Sequence, residues 1–291
     1  MTPLSLLPYS LAGWIWTGVL LAAFVLVWYV AAPGKGPLRL IHGLGAAALL
    51  PVFVGVLFGQ VSLVVVAAVA LAWWLVLRGR PWLAGLALSA LILKPQIAFL
   101  VPCALLVAGY GRVFLAWLAI SVPLAIVTLL ATGSGVFHYI SQSLQLVSGV
   151  PGPIQSSLLR QLPLPAAILG IVAVLGLSAF ILWRNRGNGP SWPIAIGLLS
   201  SLLVSPYVNF YDLSALVLAA WLILRTNPPR WQWAVTIGMY LPLYGAPIWP
   251  LVTLTCLCAW LVSLALERRQ AADFASDDTA HSSEWMMTAP R

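Results

Sequence analysis

The chain has 291 residues, of which 62% are hydrophobic and 7% charged, with a mean hydropathy of +1.01. A soluble domain carries about 25% charged residues, and no aqueous fold hides this much apolar surface, so the solvent of this chain is lipid. The formal net charge of +8 therefore reads as membrane topology and not as a nucleic-acid footprint.

Met1 to Ser10 has no basic start and no small-residue cleavage pattern, which argues against a removed signal peptide. Beyond it, apolar runs between polar breaks predict an all-α, polytopic membrane protein of about eleven helices. They fall near 10–32, 40–58, 61–77, 81–93, 96–110, 113–131, 165–183, 192–205, 213–224, 231–242 and 247–266. Those at 81–93, 96–110, 213–224 and 231–242 are shorter than the roughly 20 residues a perpendicular span needs, and are expected to be longer, broken or re-entrant. Residues 1–266 form one transmembrane domain. Its long connection is the loop 132–164, where Phe137, Ile140, Leu144 and Val147 recur at helical spacing. That suits a short helix on the membrane surface, either capping a cavity or idle. The tail 267–291 is polar, rich in Asp, Ser and Ala, and expected to be disordered.

Charge orients the chain. With the N-terminus outside and the C-terminus inside, the cytoplasmic connections carry Lys35, Arg39, Arg78, Arg80, Arg112, Arg184, Arg186, Arg225, Arg230, Arg268 and Arg269. The outer side keeps Lys94 and Arg160, so the asymmetry is eleven cations against two. The outer connections also hold most of the remaining polar residues. Prolines 95, 102, 123, 206, 242, 247 and 250 mark the outer ends of helices, as expected of broken helices around a cavity. Most of the fifteen tryptophans mark helix ends, as an aromatic belt would. Cys103, Cys256 and Cys258 lie in apolar runs and read as small core residues.

Between Met1 and Leu266 the one acidic residue is Asp212, in the polar break Ser205-Pro206-Tyr207-Val208-Asn209-Phe210-Tyr211-Asp212. A carboxylate is costly in or near hydrocarbon and usually has a task there. With it on the outer side are Lys94, Arg160, His138 and the amides Gln60, Gln96 and Gln155. A carboxylate can take a proton from a hydroxyl, a cation can hold a phosphate, and amides can hold sugar hydroxyls. This inventory suits transfer of a group from a phosphate-linked lipid. It also suits a proton-coupled transporter or flippase with Asp212 as carrier, although no internal repeat supports one. A third reading has Asp212 pair with Lys94 to hold the bundle of a non-catalytic subunit. Lys94, Arg160, Gln60, Gln96, His138, Gln155, Tyr207, Tyr211 and Asp212 are the expected substrate-binding residues. The sequence has no metal-spaced ligand cluster, no nucleotide-type glycine loop and no Ser-His-Asp set. It requires no cofactor, and a divalent cation stays open.

Five short elements resemble one family. Phe58-Gly59-Gln60-Val61-Ser62, then Arg80-Pro81-Trp82-Leu83-Ala84-Gly85-Leu86, then Leu93-Lys94-Pro95-Gln96 are similar to the run of glycosyltransferase family 87. Ile154-Gln155-Ser156-Ser157-Leu158 resembles its outer-loop element, and Ser205-Pro206-Tyr207 through Tyr211-Asp212-Leu213 its S-P…Y-D-L element. The resemblance spans roughly 55–225 and implies a GT-C-type membrane glycosyltransferase (a hexosyltransferase) using a polyprenyl-phosphate sugar on the outer face. The implied partners are the bilayer of a cell membrane, here a bacterial inner membrane, and the lipid-linked donor, with no nucleic acid. In such enzymes the catalytic carboxylate lies in a first outer loop, after a helix that begins in the cytoplasm. This chain starts outside, with no acid before Asp212. The resemblance therefore implies that a leading helix and most of that loop are missing. It leaves the catalytic residue unassigned, with Asp212 the one candidate acid, and the chain weak or inactive as it stands.

Overall fold

The structure is a computed structural model that describes residues 6–133, 141 and 156–267. Among the described residues there is no strand. The α-helices are α1 (Tyr9–Ala31), α2 (Pro37–Ala47), α3 (Leu50–Leu57), α4 (Ser62–Leu77), α5 (Pro81–Leu88), α6 (Leu100–Val107) and α7 (Gly111–Thr132). They continue with α8 (Leu158–Gln161), α9 (Leu164–Arg184), α10 (Ser191–Val204), α11 (Ala215–Leu224), α12 (Arg230–Gly238), α13 (Tyr240–Gly245) and α14 (Pro250–Leu266). Turns of 3-10 helix cover Ser89–Leu93, Pro95–Ile97 and Phe210–Ser214.

Helices α10 and α11 form the centre. Trp192 to Leu203 and Ala215 to Leu224 are buried without interruption. Around them α1 packs on α4, α4 on α5, α5 on α7 and α6 on α10. Association of helices in lipid depends on close packing of small residues, and two glycines supply it. A Cβ on Gly197 would meet the Val101 backbone at 2.7 Å, and one on Gly85 would meet the Trp117 backbone nitrogen at 2.6 Å. Among the described residues the longest helices, α1, α7 and α9, are the three that are singly long and apolar enough to cross a membrane. They lie outermost and present bare apolar side chains such as Leu130 and Leu169, a surface suited to hydrocarbon.

Local chemistry divides the long apolar runs. The run expected as one helix over 40–58 is α2 and α3, bent by 62°. Pro51 has no N–H for the preceding turn, and Leu49 there is extended. The run 81–93 is α5 plus a 3-10 turn, and the run 96–110 starts as a 3-10 turn before α6. Pro95 separates them and leaves Lys94 extended, at φ −159°. The run 231–242 is α12 and α13. At the end of α3, Gly59 adopts φ +63° and closes a Schellman turn, with Gln60 N–H on the Gly55 carbonyl and Gly59 N–H on that of Val56.

Four expectations change. Pro123 lies inside α7 and not at its end; transmembrane helices tolerate this loss of one hydrogen bond. Trp192, Trp221 and Trp260 are core residues and not part of a belt. Cys103 is exposed on the outer side of α6, because the inner face of that helix is taken by Val101, Ala104 and Leu105. Glu267, expected to open the disordered tail, is buried, and its carbonyl accepts Arg184 Nη2 at 2.5 Å. The rest of the tail, 268–291, and the expected surface helix within 136–147, apart from residue 141, lie outside the described residues.

The basic connections meet at one end of the bundle. Trp73 Nε1 donates to Ser191 Oγ at 3.0 Å, joining the end of α4 to the start of α10. Arg225, after α11, donates to the Ala32 carbonyl at 3.2 Å and lies 5.1 Å from the Trp73 ring centre. Arg186 Nε donates to the Val107 carbonyl at 2.6 Å, and with the Arg184 bond this joins the ends of α6, α9 and α14.

Candidate functional site

The opposite end of α4 and α11 carries Asp212. Val204 ends α10, Ser205 turns extended, and Pro206 cannot continue the helix. The chain re-enters helix through a capping box, in which the Asn209 backbone N–H donates to Asp212 Oδ2 at 3.1 Å and the Asn209 side chain receives the Asp212 N–H, which also donates to the Asn209 backbone carbonyl at 2.9 Å. This fixes the Asp212 side chain inward, with no exposed surface.

A buried carboxylate survives only when paired and hydrogen-bonded, and Asp212 is both. Its Oδ1 accepts Ser62 Oγ at 2.8 Å and faces Lys94 Nζ at 2.5 Å. Ser62 stands at the start of α4, where the Gly59 turn delivers it. Lys94 stands where Pro95 breaks the helix. Its ammonium also donates to Ser62 Oγ at 3.0 Å and to Gln60 Oε1 at 3.4 Å, and lies 4.5 Å from the Tyr211 ring centre. An ammonium has three donors, and here each has an acceptor. Asn209 Nδ2 donates to Tyr207 Oη at 2.7 Å and to Tyr211 Oη. Two chain segments of opposite charge, far apart in sequence, are thus held by one network.

Five of the expected residues meet here: Gln60, Lys94, Tyr207, Tyr211 and Asp212. Gln96 is half-buried in the adjoining 3-10 turn, without a hydrogen bond among the described residues. Arg160 is on α8, in the segment whose first residue, Ser156, donates its N–H to the Val208 carbonyl at 3.2 Å. His138 and Gln155 lie outside the described residues. Sequence reading passed over Ser62 and Asn209. The Asn209–Asp212 spacing was a legible capping signal, and Ser62 closes the first family-like element, although nothing in the sequence paired it with Asp212. It also passed over Ser156 and Ser157, both fully buried with hydroxyls that have no partner among the described residues.

Asp212 is engaged through both oxygens, Oδ1 by Ser62 and Lys94 and Oδ2 by the Asn209 N–H. Both oxygens accept hydrogen bonds, and no solvent reaches them, so the carboxylate holds Lys94 in place. Among the described residues no group of three or more His, Cys, Asp or Glu comes together.

An apolar helical exterior around an inward-facing polar cluster defines a helical membrane protein with a polar site where its helices break. Its lineage is specific: residues 1–206 match the model of glycosyltransferase family 87, and the chain belongs to that family. The match includes Gln60, Ser62, Lys94 and Gln96 and stops short of Tyr207, Tyr211 and Asp212. No curated protein and no solved structure matches the chain.

Proposed function

We propose that the chain serves transfer of a hexosyl group from a polyprenyl-phosphate sugar to an acceptor hydroxyl on the non-cytoplasmic face of a bacterial inner membrane. The bond from the sugar C1 to the phosphate oxygen breaks, the acceptor oxygen bonds C1 with inversion, and polyprenyl phosphate leaves. The observation that carries this reading is convergence. The elements at 58–62, 93–96 and 205–213 meet around one buried ammonium, in a chain that belongs to a glycosyltransferase family.

Lys94 is the group for the donor phosphate. Its bond to Gln60 is the longest of the three, at 3.4 Å, and Gln60 is half-buried. A phosphate oxygen is a stronger acceptor than an amide and would take that place, while Asp212 and Ser62 keep the ammonium aimed. Arg160 would supply a second charge. Gln60, once displaced, with Gln96, Tyr207 and Tyr211, and with His138 and Gln155 from the outer loop, would hold sugar hydroxyls. The acceptor proton goes to a base other than Asp212, whose oxygens are both engaged.

Its burial and its pairing with the Lys94 ammonium disfavour Asp212 as the proton carrier of a transporter. It favours, as a second reading, a non-catalytic membrane subunit in which Lys94 and Asp212 only pin helices. Lys94→Met separates the two. Binding of a polyprenyl-phosphate sugar to the purified chain in nanodiscs should weaken at least about tenfold, because a charged contact to phosphate is lost. Unchanged binding by a folded variant would leave the pin reading standing and refute the donor site.

A further inference from the structure

At the basic end of the bundle, α2 has its amphipathic faces reversed relative to a helix in water. Leu38, Ile41 and Leu44 face outward, 48%, 63% and 62% exposed. Arg39 and His42, three residues apart, share the opposite face. Arg39 reaches back to the end of α1, where its Nη2 donates to the carbonyls of Trp28 and Tyr29 and its guanidinium lies 5.9 Å and 5.4 Å from their ring centres. Trp28 Nε1 donates to the Arg39 carbonyl at 2.8 Å. Gly43 permits this approach, since a Cβ there would meet Trp28 Nε1 at 2.6 Å.

A second guanidinium joins it. Arg225 donates to the Ala32 carbonyl at 3.2 Å with Trp73 beneath it. The carbonyls of residues 29 and 32 are about one helical turn apart, roughly 5 Å, so the two cations stand side by side. The negative end of the α1 dipole explains part of this placement. It leaves donors over. Arg39 Nε is buried without an acceptor among the described residues, and His42 Nε2 is likewise without a hydrogen-bond partner. A buried donor without an acceptor is costly. Among the described residues no carboxylate answers them either. The acids there are Asp212, paired with Lys94 at the far end of α4, and Glu267, at the ends of α9 and α14. The length of α4 puts the first of these about 24 Å away.

We propose that Arg39 and Arg225 bind the phosphate of an anionic phospholipid, whose acyl chains lie along the exposed Val25 and Tyr29 of α1, on which the Arg39 guanidinium rests. The planar donor forks match phosphate oxygens, and basic pockets between helices are suited to such head groups. The exposed apolar side chains of Val25 and Tyr29 beside Arg39 select a lipid over a free phosphate. The proposal rests on the membrane setting and is independent of sugar transfer.

The test uses the full chain in detergent, titrated with dioleoyl phosphatidylglycerol or dioleoyl phosphatidylcholine, with bound lipid counted by native mass spectrometry. The glycerol lipid should bind about tenfold or more tighter than the choline lipid. The double variant Arg39→Gln/Arg225→Gln should abolish that preference, and Arg78→Gln/Arg230→Gln should keep it. Equal loss in both pairs, or no loss in the first, would overturn the site. Displacement of the lipid by millimolar inorganic phosphate would show a free-phosphate site and overturn the lipid assignment. Should the first pair fail to fold, a photoactivatable phosphatidylglycerol on the unaltered chain decides. Labelling should fall on residues 25–47, and labelling confined to other segments refutes the proposal.

Discussion

The Lys94–Asp212 pair makes an energetic prediction that a double-mutant cycle can test. Removing one partner of a buried ion pair costs about 3–5 kcal/mol, because the other charge stays buried and uncompensated. The two single variants are not equivalent. Lys94→Met leaves a carboxylate of zero exposure that keeps Ser62 Oγ and the Asn209 N–H. Asp212→Asn keeps a neutral acceptor at the same place and leaves an ammonium that is 8% exposed, with Ser62, Gln60 and the Tyr211 ring around it. The Lys94→Met loss should therefore lie at about the top of that range and the Asp212→Asn loss at about the bottom. Lys94→Met/Asp212→Asn removes both charges, and its cost should fall below the sum of the singles by about 2–3 kcal/mol. Each kcal/mol corresponds to a change of about 2–4 °C in Tm for a chain of this order. Thermal unfolding in detergent, monitored by the loss of the monodisperse peak, reads all four corners. Losses that add within about 0.5 kcal/mol would mean that the two groups do not sense each other, and the network around Lys94 would have to be abandoned.

The remaining predictions concern packing and orientation. Gly197→Ala and Gly85→Ala force a methyl group into the Val101 and Trp117 backbones, and each should cost at least about 1–3 kcal/mol in the same unfolding assay. Gly176→Ala, in α9 with open space at the Cβ position, should be neutral or stabilising by up to about 1 kcal/mol; a loss there equal to that at Gly197 would refute the close-approach argument. For topology, reporters active on one side of a membrane are fused after Arg186, after Tyr207 and at the C-terminus. Cytoplasmic signals are expected from the first and last and none from Tyr207, and a cytoplasmic signal at Tyr207 would remove the outer site.

Composition alone determined that the chain is helical and bathed in lipid, because a backbone in hydrocarbon must satisfy its own hydrogen bonds. The charges showed which connections belong together. The structure gathers Arg39, Arg78, Arg184, Arg186 and Arg225 at one end and Lys94 at the other. Asp212 stood out because a carboxylate in an apolar chain is costly wherever it sits. Where the runs break was only half legible. Pro95 was legible as the break between the runs 81–93 and 96–110, whereas Pro51 divides an apolar stretch that hydropathy joins, since hydropathy averages over a window and a proline acts on a single hydrogen bond. What only the tertiary structure decided is the identity of the partners. Ser62 is 150 residues from Asp212, and no periodicity links them. Their contact follows from the Gly59 turn, the Pro95 break and the Asn209 cap delivering three side chains to one point. The same geometry engages both Asp212 oxygens, so a residue that composition marks for reactivity is occupied in holding a lysine.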